Sequence, residues 1–194
     1  QRVDEKLDLP VVFFEFGSDA FNAREFREDQ VAQARILKEQ WQEMYQKAYG
    51  NGEEGNSIGA FIFEWRDEWW KYLQIEQLDV QNTNASWSNQ GYLFDWSPTG
   101  NNMNEEWFGI ASKGRNNARG LYSVYPRAAY YALREAFALD PYAPGLDLGA
   151  IRAHFAKIRP MAAEVAARGD RAALLAETSR RIRVWNARIE FETV

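Results

Sequence analysis

The feature that most narrows the fold is a pair of short apolar runs, PVVFFEF at 10–16 and SIGAFIFEW at 57–65, on either side of one amphipathic stretch. Both runs are rich in β-branched and aromatic residues and are bounded by loop-forming sequence, which predicts buried strands. Between them, residues 24–48 contain no glycine or proline, and Val31, Ala34, Ile36, Leu37, Trp41, Met44 and Tyr45 recur at helical spacing. Strand, helix, strand, with both strands apolar on both faces, predicts parallel strands joined by a helical crossover. GNGEEGN at 50–56 is the expected return loop.

Beyond the second run the pattern loosens. Residues 66–121 are rich in Asn, Gly, Ser and Trp and carry the turn signals SPTGNN and KGRNN, so a long irregular segment is expected. PRAAYYALREAFAL at 126–139 then predicts a helix with proline in its first turn. DPYAPGLD reads as a linker, after which Ala- and Arg-rich helical patches are expected at 148–158, 160–168 and 170–183, with a strand beginning in the final residues. The organisation expected is a main unit over 1–140 and a linker with a helical extension over 141–194, leading towards a further module. His154 lies at helical spacing from Ile151 and Ile158 and reads as structural.

Composition decides which chemistry is open. There is no cysteine, which excludes disulfides, thiol nucleophiles and thiolate metal sites, and the one histidine, His154, reads as structural, which sets the His-based triads and zinc sites aside. Catalysis in such a chain rests on carboxylates, and no metal or organic cofactor is expected. A net charge of −5 argues against nucleic acid and anionic membrane as partners. No apolar run approaches the ~20 residues of a membrane-spanning helix. The absence of an initiator Met leads to the expectation that residue 1 lies inside a longer protein.

Eight tryptophans are present, and aromatics crowd the middle of the chain. Trp65, Trp69, Trp70, Tyr72, Trp87, Tyr92, Phe94, Trp96 and Trp107 stand among Asn, Gln, Asp and Glu. A pyranose offers a flat apolar face to an indole and hydroxyls to planar polar partners, so this mixture suits a carbohydrate cleft. Both predicted strands also run into a glutamate, Glu15 in FFEFG and Glu64 in IFEWRDEWW. In barrels of parallel strands the active site lies at the strands' carboxyl ends. Retaining glycosidases hold two carboxyl groups about 5–5.5 Å apart, one nucleophile and one acid/base.

The ordered set PVVFFEFGSDAFN, EQWQEMYQKAY, GAFIFEWRDEWWK, NEEWFGI and RAAYYALREAF resembles the C-terminal part of the (β/α)8 barrel of clan A glycoside hydrolases, most of all family 2. The resemblance covers about residues 10–140. It implies the C-terminal portion of a TIM barrel, strands seven and eight with their helices, to which the Ala- and Arg-rich residues add the helical extension. It makes Glu15 the catalytic nucleophile and Trp65 the platform for the cleaved sugar. Asp19 and Asn22, in the loop after strand seven, follow as candidates to bond sugar hydroxyls or the next strand, and Trp69 as part of the loop over the cleft. Glu64, set by strand alternation on the side opposite Trp65, takes a supporting role. Arg66, Asp67 and Glu68 open the loop over the cleft, and pairing among them is the alternative for their charges.

The departure from the family is large. The acid/base glutamate of that clan follows an Asn on the fourth strand, and strands one to six have no counterpart here. Asn104-Glu105 is an Asn-Glu pair in the wrong place. The expected activity is therefore retaining hydrolysis of β-linked glycosides by an enzyme to which this chain gives the nucleophile half. The remainder of the same barrel, from a longer chain or a partner chain, is the expected partner besides the carbohydrate. A transglycosylase of the same clan and a non-catalytic carbohydrate-binding or scaffold protein are the alternatives. The resemblance also implies an extracellular or periplasmic address.

Overall fold

In the computed structural model, residues 9–22, 25–50, 55–69, 81, 83, 104–116 and 120–170 are described. β1 (Val11–Phe16) enters a short antiparallel pair, β2 (Phe21–Asn22) with β3 (Arg27–Glu28), before α1 (Gln30–Gln46). The helix begins later than the 24–48 expected because its apolar spacing starts only at Val31 and because Asp29 caps it. The Asp29 carboxylate accepts from the Ala32 amide at 2.9 Å. β4 (Ser57–Ile62) then pairs with β1 in parallel, across the helical crossover that the sequence predicts.

The face of α1 that carries Ala34 and Leu37 packs on α2 (Ala128–Ala136), whose Ala128, Ala129, Ala132 and Ala136 are all but inaccessible. Four small side chains on one helix face let the two helices approach closely, and Leu37 and Leu133 fill what remains. Phe16 stacks on Trp41 at 5.6 Å, and Trp41 meets the edge of Phe137 at 5.0 Å, so the end of β1 is keyed to both helices.

The expected boundary at 140/141 is not a boundary in the packing. α3 (Leu148–Lys157), capped by Asp147, and the helical residues 160–170 add Ile151, Phe155, Ile158, Ala163 and Ala167 to the same core. DPYAPGLD is thus a turn between packed helices, because apolar side chains on one face of the extension find the core within reach. His154 donates from Nε2 to the Glu135 carbonyl at 2.9 Å, a structural bond at the end of α2. Apart from Asp170, the expected helical patch at 170–183 and the terminal strand lie outside the described residues.

Two further expectations change. Residues 66–121 were expected to be irregular, yet they contain a 3-10 turn, Glu105–Trp107, and β5 (Ala111–Asn116). β5 pairs antiparallel with β6 (Tyr122–Pro126), a hairpin invisible in ASKGRN because no apolar alternation marks it. The strands expected to be buried on both faces are also open: Phe14 is 74% exposed, Phe61 61% and Ile58 53%. Burying both faces of a parallel pair takes a layer on each side. The described residues form three two-stranded sheets and no barrel.

Candidate active site at the strand ends

Glu15 sits where β1 departs from regular pairing. Phe13 is opposite Ala60 and Phe16 opposite Ile62, so three steps on β1 match two on β4 and one residue is extra. Such a bulge bends the strand and re-aims a side chain. The Glu15 side chain is exposed there. Immediately after, Gly17 passes so close to β4 that a Cβ on it would stand 1.9 Å from the Phe63 carbonyl oxygen. Only glycine tolerates that approach. The Phe63 amide donates to the Phe16 carbonyl at 2.8 Å, which holds the carboxyl ends of the two strands side by side.

The loop after β1 is fixed from beneath by Gln33 of α1. Its fully buried amide donates to the carbonyls of Ser18 at 3.0 Å and Gly109 at 3.1 Å, tying this loop to the segment after the 3-10 turn. Asp19 accepts from the Asn104 amide at 3.2 Å, and Asn22, buried, accepts from the Glu25 amide at 3.1 Å. These two candidates for sugar hydroxyls therefore shape the loop with their carboxylate and amide oxygens.

Strand alternation does not decide the side taken by Glu64 and Trp65, because β4 ends at Ile62. Their backbones instead pair with the segment after the 3-10 turn: the Glu64 carbonyl accepts from Ile110 at 2.9 Å and the Trp65 carbonyl from Ala111 at 3.0 Å. Trp65 is 58% exposed, with its ring edge-on to Tyr130 at 6.0 Å. Trp69 is buried, and the Lys113 ammonium lies 4.3 Å from its ring centroid. Of the six sequence candidates, Glu15 and Trp65 remain accessible and Glu64 is half-buried, while Asp19, Asn22 and Trp69 are largely engaged in local structure.

The charged cluster that organises the region was not found by sequence reasoning. Arg127 and Asp67, 1% and 0% exposed, meet through paired bonds of 2.5 and 2.7 Å. Arg127 also donates to Glu28 at 2.7 Å and to the Gly109 carbonyl at 2.7 Å. Asp67 further accepts from the Gly109 amide at 3.1 Å and from Gln81 at 2.9 Å. Burial pushes the Asp67 carboxyl above its ordinary value, and the facing Arg127 charge opposes that shift. Burial likewise works against the Arg127 charge, but Asp67 and Glu28 outweigh it and hold the guanidinium firmly protonated. In place of the alternative pairing inside the RDE run, Arg66 lies over the Tyr122 ring at 4.8 Å, and Asp67 reaches a cation sixty residues away. One signal was available, since Arg127 stands at the N-cap position of an Ala-rich helix, where the macrodipole disfavours a cation lacking an anionic partner.

Beside this cluster lies a cavity of ≈ 520 Å³ whose walls include Glu28, Trp69, Trp107 and Lys113. Among the described residues no group of three or more His, Asp or Glu is placed to hold a metal ion, and no helix is long and apolar enough to cross a membrane. Neither a scan of protein-family models nor searches of curated proteins and of solved structures returned a match to this chain.

Proposed function

We propose that the chain supplies the nucleophile half of a retaining β-glycosidase built on a (β/α)8 barrel, of which β1 and β4 are the last two strands. The observation that carries this reading is the position of Glu15. It is an exposed carboxylate on a bulge at the carboxyl end of a parallel strand, beside the end of β4 from which the exposed Trp65 follows. Carboxyl ends of parallel strands are where such barrels do their chemistry. The open faces of β1 and β4 support the same reading, since Phe14 and Phe61 stack at 6.1 Å with most of their surface uncovered. Further strands of a barrel would cover such a surface.

In this mechanism ionised Glu15 attacks the anomeric carbon as a carboxyl group from the rest of the barrel protonates the leaving oxygen. The same group then activates water, which hydrolyses the glycosyl–Glu15 ester and regenerates the carboxylate. Trp65 offers its ring to the apolar face of the sugar. The test is Glu15→Gln in the assembled enzyme with aryl β-glycosides, alongside trapping of the ester by a slow 2-fluoro substrate and peptide mapping. Hydrolysis is expected to fall by a factor of about 10³ or more, as befits loss of the attacking group. Near wild-type turnover, or a label on another residue, refutes the assignment. Retained sugar binding with no turnover in the wild-type assembly would favour a binding protein instead.

A further inference from the structure

We infer that the cavity beside the buried ion pair is a second ligand site, for a neutral polyhydroxylated ligand, separate from the strand ends that carry Glu15. Its ≈ 520 Å³ falls within the range of small-molecule sites, about 300–1,000 Å³. Five described parts of the chain build it: Glu28 comes from β3, Trp69 from the segment after β4, Gln81 from further along the chain, Trp107 from the 3-10 turn, and Lys113 and Tyr125 from the β5–β6 hairpin. None of Glu15, Glu64 or Trp65 belongs to its described lining. A smaller space of ≈ 230 Å³ shares Glu28, Ser112 and Tyr125 with it, so the lining extends towards Arg127.

The chemistry of the wall selects the ligand class. Its described residues include one carboxylate and one ammonium, and both are held in place. Glu28 is held by Arg127 at 2.7 Å, and the Lys113 ammonium rests 4.3 Å from the Trp69 ring centroid and 5.2 Å from that of Tyr122. Groups already held in position lose little freedom when a ligand arrives. A charged ligand attracted by one of them would be repelled by the other. A hydroxyl, being both donor and acceptor, suits the two together with Ser112 and Tyr125. The indoles supply apolar edge to the ring carbons of such a ligand. Gly114 lets the β5 backbone pass close against the Tyr125 ring of the wall, since a Cβ there would stand 2.8 Å from it. Choosing a sugar among polyols rests on the glycosidase reading; the cavity itself does not.

The experiment is a titration of the chain with cellotetraose, mannotetraose and, as the anionic control, a β-linked glucuronate oligomer. Calorimetry and the indole N–H resonances of Trp69 and Trp107 are the readouts. A neutral oligomer is expected to shift both indole signals saturably. Lys113→Gln should weaken that binding about tenfold, the size of one lost hydrogen bond to a charged donor. Ser112→Phe, which fills the cavity from another wall, should abolish it with the thermal melt unchanged, so that a folding defect in one variant leaves the other to decide. Glu15→Gln should leave the saturable shifts of the Trp69 and Trp107 indoles as they were, whatever it does to hydrolysis, which keeps the two readings separable. The site is overturned if no neutral oligomer moves the two indoles, if the glucuronate oligomer binds more tightly, or if binding is lost with Trp65→Ala and kept in both cavity variants.

Discussion

Replacing Arg127 with methionine is the most direct test of what holds the site region together. The guanidinium is 1% exposed and makes paired bonds to Asp67, one bond to Glu28 and one to the Gly109 carbonyl. Methionine fills much of the same volume but leaves Asp67, itself 0% exposed, with only the Gly109 amide and Gln81 as described donors. Removing one partner of a buried pair costs about 3–5 kcal/mol, because the other charge stays in a medium that solvates it poorly. Against a domain stability of about 5–15 kcal/mol that is a large share. With a urea m-value of about 2 kcal/mol/M, the unfolding midpoint should drop by roughly 2 M. The double variant Asp67→Leu with Arg127→Met should recover most of the loss, since no charge is left stranded and Glu28 is partly solvated. The pH dependence has a definite sign. In Arg127→Met the buried Asp67 carboxyl lies above its ordinary value with no Arg127 charge to oppose it, so the folded state binds the extra proton. That stabilisation is complete below the ordinary carboxylate range and is lost as pH rises through the raised value; the deficit of the variant should therefore shrink on acidification. A midpoint shift under about 0.5 M, or a double variant as unstable as the two single changes summed, would refute the reasoning.

Two further outcomes can be checked by the same unfolding measurements. Leu37→Ala removes a fully buried side chain between α1 and the alanine face of α2, and should cost about 2–5 kcal/mol with the m-value unchanged. The Tyr131 hydroxyl is pushed up to about 12, by burial first and then by its hydrogen bond to Asp170. A raised phenol stabilises the fold fully below the unfolded value near ~10 and loses that contribution as pH rises through the folded value. Stability should fall between about pH 10 and pH 12, and Tyr131→Phe should flatten that fall; an unchanged alkaline profile in the variant would disprove the linkage.

How much of this was legible beforehand follows from the range of the interactions. The α1 crossover and the parallel pairing of β1 with β4 depend on apolar periodicity within a few tens of residues, and both can be read from VVFF, SIGAFI and the helix between them. Glu15 stood out for the same local reason, as a carboxylate at the end of an apolar run. The bulge that exposes it was not legible, because register is a property of two strands and not of one. The β5–β6 hairpin was missed because its first strand has no alternation to show.

By itself, then, the amino-acid sequence marked β1, β4, the helix that crosses between them and α2, and its lack of cysteine rules out thiol chemistry. Tertiary structure decided the partners. Asp67 could have paired with the adjacent Arg66, but a neighbouring exposed pair gains little against solvent, whereas Arg127, entering a helix with its charge buried, must find an anion. Glu28 and Asp67 reach Arg127 from positions 99 and 60 residues away in the chain. The cavity beside them has described walls from five places that the sequence keeps apart and the folded backbone brings together. Local propensity acts over a few residues; burying a charge is a constraint on the whole fold, and it is met only once the chain has closed around it.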